Sequence, residues 1–171
     1  RPIEGVEKER NSIIVVSNTS DRKKGVLYLL RAVRDIRKEF DVKLTIVDRG
    51  LPDNEYTPML VERCGLTDCT EFTGKVSTED LVKYYNRAEV AVVPSLYEGF
   101  GLPAAEAMSC GVPVISTTAG ALGEVVDAKS GILVSACDHE AISAGLRRLF
   151  SDEALRRELG LDGSFVVGYF G

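Results

Sequence analysis

A chain of 171 residues with 21 Lys and Arg against 26 Asp and Glu carries a net charge of −5, and 44% of its residues are hydrophobic and 27% charged. At one domain per hundred to two hundred residues, this length excludes a two-domain enzyme and allows one compact domain that buries roughly 70% of its unfolded surface. The composition excludes a disordered chain, and the acidic balance excludes a nucleic-acid backbone as the main partner.

In chain order, Ser12 to Ser17 is a β-branched run too short for a helix and suited to a strand buried on both faces. Val26, Leu27, Leu30 and Val33 then line one side of a helix, with Arg34 and Arg37 on the other, over about four turns. Val42 to Val47 reads as a strand, Asn54 to Cys64 as a helix and Thr70 to Thr73 as a short strand. Ser77 opens a helix that runs through Tyr84 to Ala88, with Asp80 three residues on as the acid of a short capping box. Glu89 to Pro94 is a strand, and Pro103 is expected as the first residue of a helix to Cys110. Strand Val112 to Ser116, a short helix from Leu122 to Asp127 and strand Gly131 to Ser135 follow. Asp138 caps a helix through Phe150, and Asp152 to Leu159 forms another. The apolar, Gly-rich tail from residue 161 to Gly171 has no helical period and is expected to be disordered or to have lost a partner.

Strand and helix alternate about six times with connections too long for hairpins. The pattern predicts an α/β fold: a doubly wound, Rossmann-like parallel sheet of about six strands with helices on both faces. Ligands of such sheets lie beyond the carboxyl ends of the strands, so chemistry is sought in the loops after Val16, Val47, Thr73, Val93, Ser116 and Val134. The apolar runs, such as Val90 to Val93, fall far below the roughly 20 residues that span a bilayer. A start at Arg1-Pro2 without Met is expected of a piece of a longer protein. Cys64, Cys69, Cys110 and Cys137 contain no C-x2-C pair, and with a single histidine the chain is expected to hold reduced thiols in the cytoplasm.

The most informative loop is the stretch from Pro94 to Glu106, PSLYEGFGLPAAE, between a buried strand and a helix. Gly99 and Gly101 let a ligand approach the backbone, and the N–H groups of Phe100, Gly101 and Leu102 stand at the positive end of a helix dipole, which makes an anion site. Glu98 precedes the turn and Glu106 lies one turn inside the helix, so both carboxylates are expected to face one cleft, where they suit sugar or ribose hydroxyls. A tight turn whose acids only favour the dipole is the plainer alternative. In the loop after the first strand, Lys24 is placed to reach a diphosphate, while Arg22 and Lys23 are expected to stay solvated. Thr73 to Ser77 can offer backbone groups to a base, and Thr117 to Ala121 permits close approach of a ligand. His139 is expected to be an exposed helix-start residue. The chain has no Walker A string, no Ser-His-Asp grouping and no D-x-D pair, so no metal or cofactor is expected.

At these residues the chain resembles the nucleotide-sugar-binding C-terminal domain of the family 4 retaining glycosyltransferases (glycosyltransferase group 1) of the GT-B fold. The likeness runs from about Arg1 to Gly160. It is carried by the E-x7-E motif from Glu98 to Glu106 in EGFGLPAAEAMSCGVPVIST and by the flanking TGKVSTEDLVKYYNRAEVAVVPS and AGALGEVV. The resemblance implies that residues 1–160 form the donor-binding domain and that an acceptor-binding N-terminal domain is missing. It implies that Glu98 contacts the donor sugar and supports charge change there, that Glu106 holds the ribose, and that the Gly99-Phe100-Gly101-Leu102 turn binds the diphosphate. Lys24 neutralises that diphosphate, and Val76 touches the base through its backbone. The implied reaction is sugar transfer from a nucleotide diphosphate donor to a hydroxyl acceptor with retention, the parent enzyme lying at a membrane surface if its acceptor is a lipid. The family usually carries an arginine five residues before the lysine, where this chain has Thr19. Two other readings remain at this stage. One is an NAD(P)-dependent oxidoreductase, from Gly99-x-Gly101-x-x-Ala104; the other is a donor-binding module without turnover, from Thr19.

Overall fold

The computed structural model describes residues 2–3, 5–49 and 55–160. Six strands, β1 (Ser12–Ser17), β2 (Lys43–Asp48), β3 (Thr70–Phe72), β4 (Val90–Val93), β5 (Val114–Thr117) and β6 (Gly131–Val134), form one parallel sheet in the order β3-β2-β1-β4-β5-β6. The helices are α1 (Val26–Ile36), α2 (Tyr56–Arg63), α3 (Thr78–Arg87), α4 (Leu102–Ser109), α5 (Leu122–Val125), α6 (His139–Ser151) and α7 (Glu153–Gly160).

The period-2 alternation of β1 separates two cores. Ile13 and Val15 pack with Leu29, Leu30 and Val33 of α1, Leu60 and Val61 of α2, Ile142, Leu146 and Leu149 of α6, and Leu159 of α7. Ile14 and Val16 pack on the opposite face with Leu81 and Tyr85 of α3, Ala104, Ala107 and Met108 of α4, and Leu122 of α5. Burial on both faces explains why these strands read as continuous apolar runs. Ser77 accepts from the Asp80 amide at the start of α3, and Asp138 accepts from the Ala141 amide at the start of α6. Each satisfies an orphan donor of its helix terminus.

Most elements begin or end within a residue or two of expectation, and three differences have a local cause. In α1, Leu27 is only partly buried, and Leu29 and Ile36 complete the apolar stripe, since positions 26, 29, 30, 33 and 36 follow the 3.6-residue period more closely. Helix α4 starts at Leu102, one residue before Pro103, because Gly101 takes the N-cap position with φ +67°. Strand β5 starts at Val114: Pro113 has no N–H to give the ladder, although its carbonyl accepts from Ala91 at 3.0 Å. Asn54 and the tail from residue 161 lie outside the described residues.

The chain builds outward from β1 to β3 and then returns to β4 on the other side of β1. The loops after β1 and β4 therefore lead to helices on opposite faces of the sheet, and the crevice at the carboxyl edge between those helices is where doubly wound sheets hold ligands.

Candidate functional site

Two loops meet at that crevice. The loop after β1 passes through Asp21, which accepts from the Lys23 amide and caps a single 3₁₀ turn, Arg22–Lys24, and ends at Gly25 with φ +66°. A Cβ on Gly25 would lie 1.9 Å from the Pro94 carbonyl oxygen, so glycine is required by the neighbouring loop. The Leu96 amide donates to the Lys23 carbonyl at 2.7 Å, which ties the two loops together.

The second loop carries Glu98 to Gly101. Lys24 Nζ lies 2.9 Å from Glu98 Oε2, and Ser95 Oγ donates to the same oxygen at 3.3 Å. The Lys24 and Glu98 side chains are 23% and 12% exposed, so this pair is largely withdrawn from solvent. Glu106, one turn into α4, receives Arg49 Nη2 at 3.0 Å on Oε1 and 2.8 Å on Oε2, and the Tyr85 hydroxyl lies 3.1 Å from Oε2. Burial and the adjacent Glu106 carboxylate push the Tyr85 phenol well above its usual range, with Arg49 opposing. Between the two acids, the amides of Phe100, Gly101 and Leu102 find no acceptor among the described residues. They stand at the N-terminus of α4, where unpaired N–H groups attract an anion.

The floor of the crevice is polar. Ser17 Oγ, at the end of β1, is buried and has no hydrogen-bond partner among the described residues. Its carbonyl accepts from Arg49 N at 2.8 Å. Thr19 is fully buried: its amide donates to Asp48 Oδ1 at 3.2 Å, its hydroxyl bonds Asp48 Oδ2, and Thr57 Oγ1 lies 2.8 Å from that hydroxyl.

The structure thus brings Lys24, Glu98, Gly99, Phe100, Gly101, Leu102 and Glu106 to one edge of the sheet. Lys24 is not directed at open space but pinned to Glu98. Val76, in the loop after β3, packs partly buried against the core that contains Tyr85, two strands away from β1. Arg22 and Lys23 are exposed, and the Arg22 guanidinium sits 5.4 Å from the Tyr56 ring centroid. His139 begins α6, apart from the cluster, but is half-buried rather than exposed because it packs 3.7 Å from Asp35 of α1. The Thr117 to Ala121 loop braces its neighbour: the Ala121 amide donates to the Glu98 carbonyl at 3.0 Å, and a Cβ on Gly120 would fall 2.2 Å from that oxygen. Sequence reasoning assigned no part to Arg49, Tyr85 or Ser17, because their neighbours along the chain do not show that they reach the crevice. The glycine turn follows β4, whereas the dinucleotide fingerprint belongs to the first strand-to-helix turn.

Residues 1–163 match the family model described as Glycosyl transferases group 1. Among similar proteins, the MMP alpha-(1->4)-mannosyltransferase of Mycolicibacterium hassiacum is 41% identical over 165 residues, covering 95% of this chain and 39% of that protein. The solved structure of sucrose-phosphate synthase from Thermosynechococcus elongatus superposes with a TM-score of 0.85 at 34% identity, over 94% of this chain and 42% of that one. The C-terminal domain of a glycosyl transferase group 1 family protein from Francisella tularensis does so with a TM-score of 0.83 at 27% identity, over 99% of this chain and 94% of that one. The chain spans about two fifths of the length of the curated relatives it matches. With its parallel sheet, its acid-flanked glycine turn and a family match across nearly all its length, the chain belongs to the group 1 glycosyltransferases.

Proposed function

We propose that this chain is the donor half of a retaining glycosyltransferase, which binds a nucleotide diphosphate sugar for transfer to a hydroxyl acceptor held by another domain. The observation that carries the reading is the pair of carboxylates, Glu98 and Glu106, set on either side of three α4-terminal amides without a described acceptor. Carboxylates accept from sugar hydroxyls, whereas the amides and the helix dipole attract the diphosphate.

In this reading Glu106 receives the ribose hydroxyls, Glu98 faces the sugar, the amides of Phe100, Gly101 and Leu102 hold the diphosphate, and the Val76 backbone meets the base. Lys24 would leave part of its contact with Glu98 to neutralise the departing diphosphate. As the glycosidic bond breaks, negative charge gathers on the leaving group and positive charge on the sugar ring. Donors already fixed around the leaving oxygen, and a carboxylate fixed near the ring, lower that barrier because they need no reorganisation. Gly99 supports close approach: a Cβ there would meet nothing within 4 Å, so no neighbour in the chain requires a glycine. Phe100, 79% exposed at the mouth, supports a cleft shared with another domain.

Calorimetry of the chain against UDP, GDP and ADP sugars tests the reading. One nucleotide class is expected to bind, and Glu106→Ala and Lys24→Ala are each expected to weaken it about tenfold or more. Binding of no donor, or binding indifferent to both substitutions, removes it. Full-length protein that binds donor yet neither hydrolyses nor transfers it would leave a binding module without turnover.

A further inference from the structure

At the mouth, Lys24 and Arg49 are each matched by a carboxylate, Glu98 and Glu106, so neither pair carries net charge. A diphosphate brings further negative charge into the mouth. Elsewhere on the β1 loop, Thr19 is enclosed by Asp48 and Thr57, and the Arg22 guanidinium lies over the Tyr56 ring.

Arg49 follows Asp48 directly, and its amide donates to the Ser17 carbonyl, so its backbone lies at the rim beside the start of the β1 loop. From there its guanidinium crosses to Glu106 on α4, whose amides form the anion site. The Arg49 and Glu106 side chains are 38% and 35% exposed, and an ion pair exposed to that degree is weak enough to open at little cost. Guanidinium binds phosphate oxygens in a planar, two-pronged geometry, which makes it a better phosphate ligand than a carboxylate tether alone would require.

Resting on the donor-site reading above, we propose that Arg49 is a donor-binding residue which Glu106 holds in reserve. When the ribose hydroxyls occupy Glu106, the guanidinium turns to the diphosphate and supplies the second cation from β2 rather than from the β1 loop. The alternative is that Arg49 only props Glu106, and the two make different predictions.

The test compares UDP, GDP and ADP with their matching nucleosides, titrated by calorimetry and NMR shift changes into the 171-residue chain and its Arg49→Gln and Arg49→Lys variants at low salt. For the best-binding nucleotide, Arg49→Gln is expected to weaken the diphosphate about tenfold while leaving the nucleoside within about twofold, and Arg49→Lys to recover part of the loss. Equal weakening of nucleoside and diphosphate, or no change in either, overturns the proposal while the site reading stands. If the unsubstituted chain binds no nucleotide, the site reading falls and this inference with it. Where Arg49→Gln does not fold, Arg49→Lys carries the same comparison, with a severalfold loss expected for the diphosphate alone.

Discussion

Glu98 and Glu106 have the same chemistry and different settings. Glu98 is the more enclosed, held by Lys24 and Ser95, so removing Lys24 strands a carboxylate that water reaches poorly. Lys24→Met is expected to destabilise the chain by about 1–2 kcal/mol in urea unfolding, less than a fully buried pair would lose because both groups keep some solvent. Arg49→Gln, at the more exposed pair, is expected to shift stability by no more than about 0.5 kcal/mol. Tyr85 supplies a pH dependence. It is 2% exposed, and its raised phenol pKa means that the folded state keeps a proton that the unfolded state gives up near pH 10. Stability is therefore unaffected by this group below that pH and falls as pH rises above it. Urea midpoints between pH 9 and 11, approximate bounds set by the free phenol, should decline less steeply in Tyr85→Phe. That variant should also start about 1 kcal/mol less stable, because Glu106 loses a hydrogen-bond donor.

At the level of elements, the two loops are fitted to each other before they are fitted to a ligand. Gly25 abuts the Pro94 carbonyl and Gly99 abuts nothing, so one alanine substitution should disrupt the fold while the other should not. Gly25→Ala is expected to cost more than about 3 kcal/mol or to abolish soluble folding, through backbone clash and strain at φ +66°. Gly99→Ala should leave the thermal midpoint nearly unchanged yet weaken nucleotide binding, which calorimetry beside a melt would read. Loss of stability without loss of affinity would mean that Gly99 serves the fold. The caps behave more simply: Ser77→Ala should lower stability by about 1 kcal/mol in a denaturant titration, with no effect on ligand affinity.

On the scale of the whole molecule, both faces of the sheet are covered by helices, and an apolar core lies against each face. As the donor half proposed above, the chain would lack the groups that position an acceptor hydroxyl. On that reading the 171-residue chain is expected to bind donor and to release no measurable glycoside or free sugar; turnover by the chain alone would refute the division of labour. Among the described residues no helix is long and apolar enough to cross a membrane.

Local signals determined the elements. β-branched runs, capping residues and the glycine turn act over a few positions, so the alternation of strands and helices and the Glu98 to Glu106 loop were legible in the chain itself. The strand order was not, because many parallel arrangements share one alternation of apolar runs. That order sets Arg49 beside Glu106, 57 positions away, and Tyr85 beside the same carboxylate, 21 positions away. Only the folded sheet, by bringing β1 between β2 and β4, decides that Thr19 is walled in, that Lys24 and Arg49 each meet an acid, and that the buried Ser17 hydroxyl has no partner among the described residues. Such contacts join residues whose neighbours along the chain impose no geometry on one another, and packing across strands is what brings them within bonding distance.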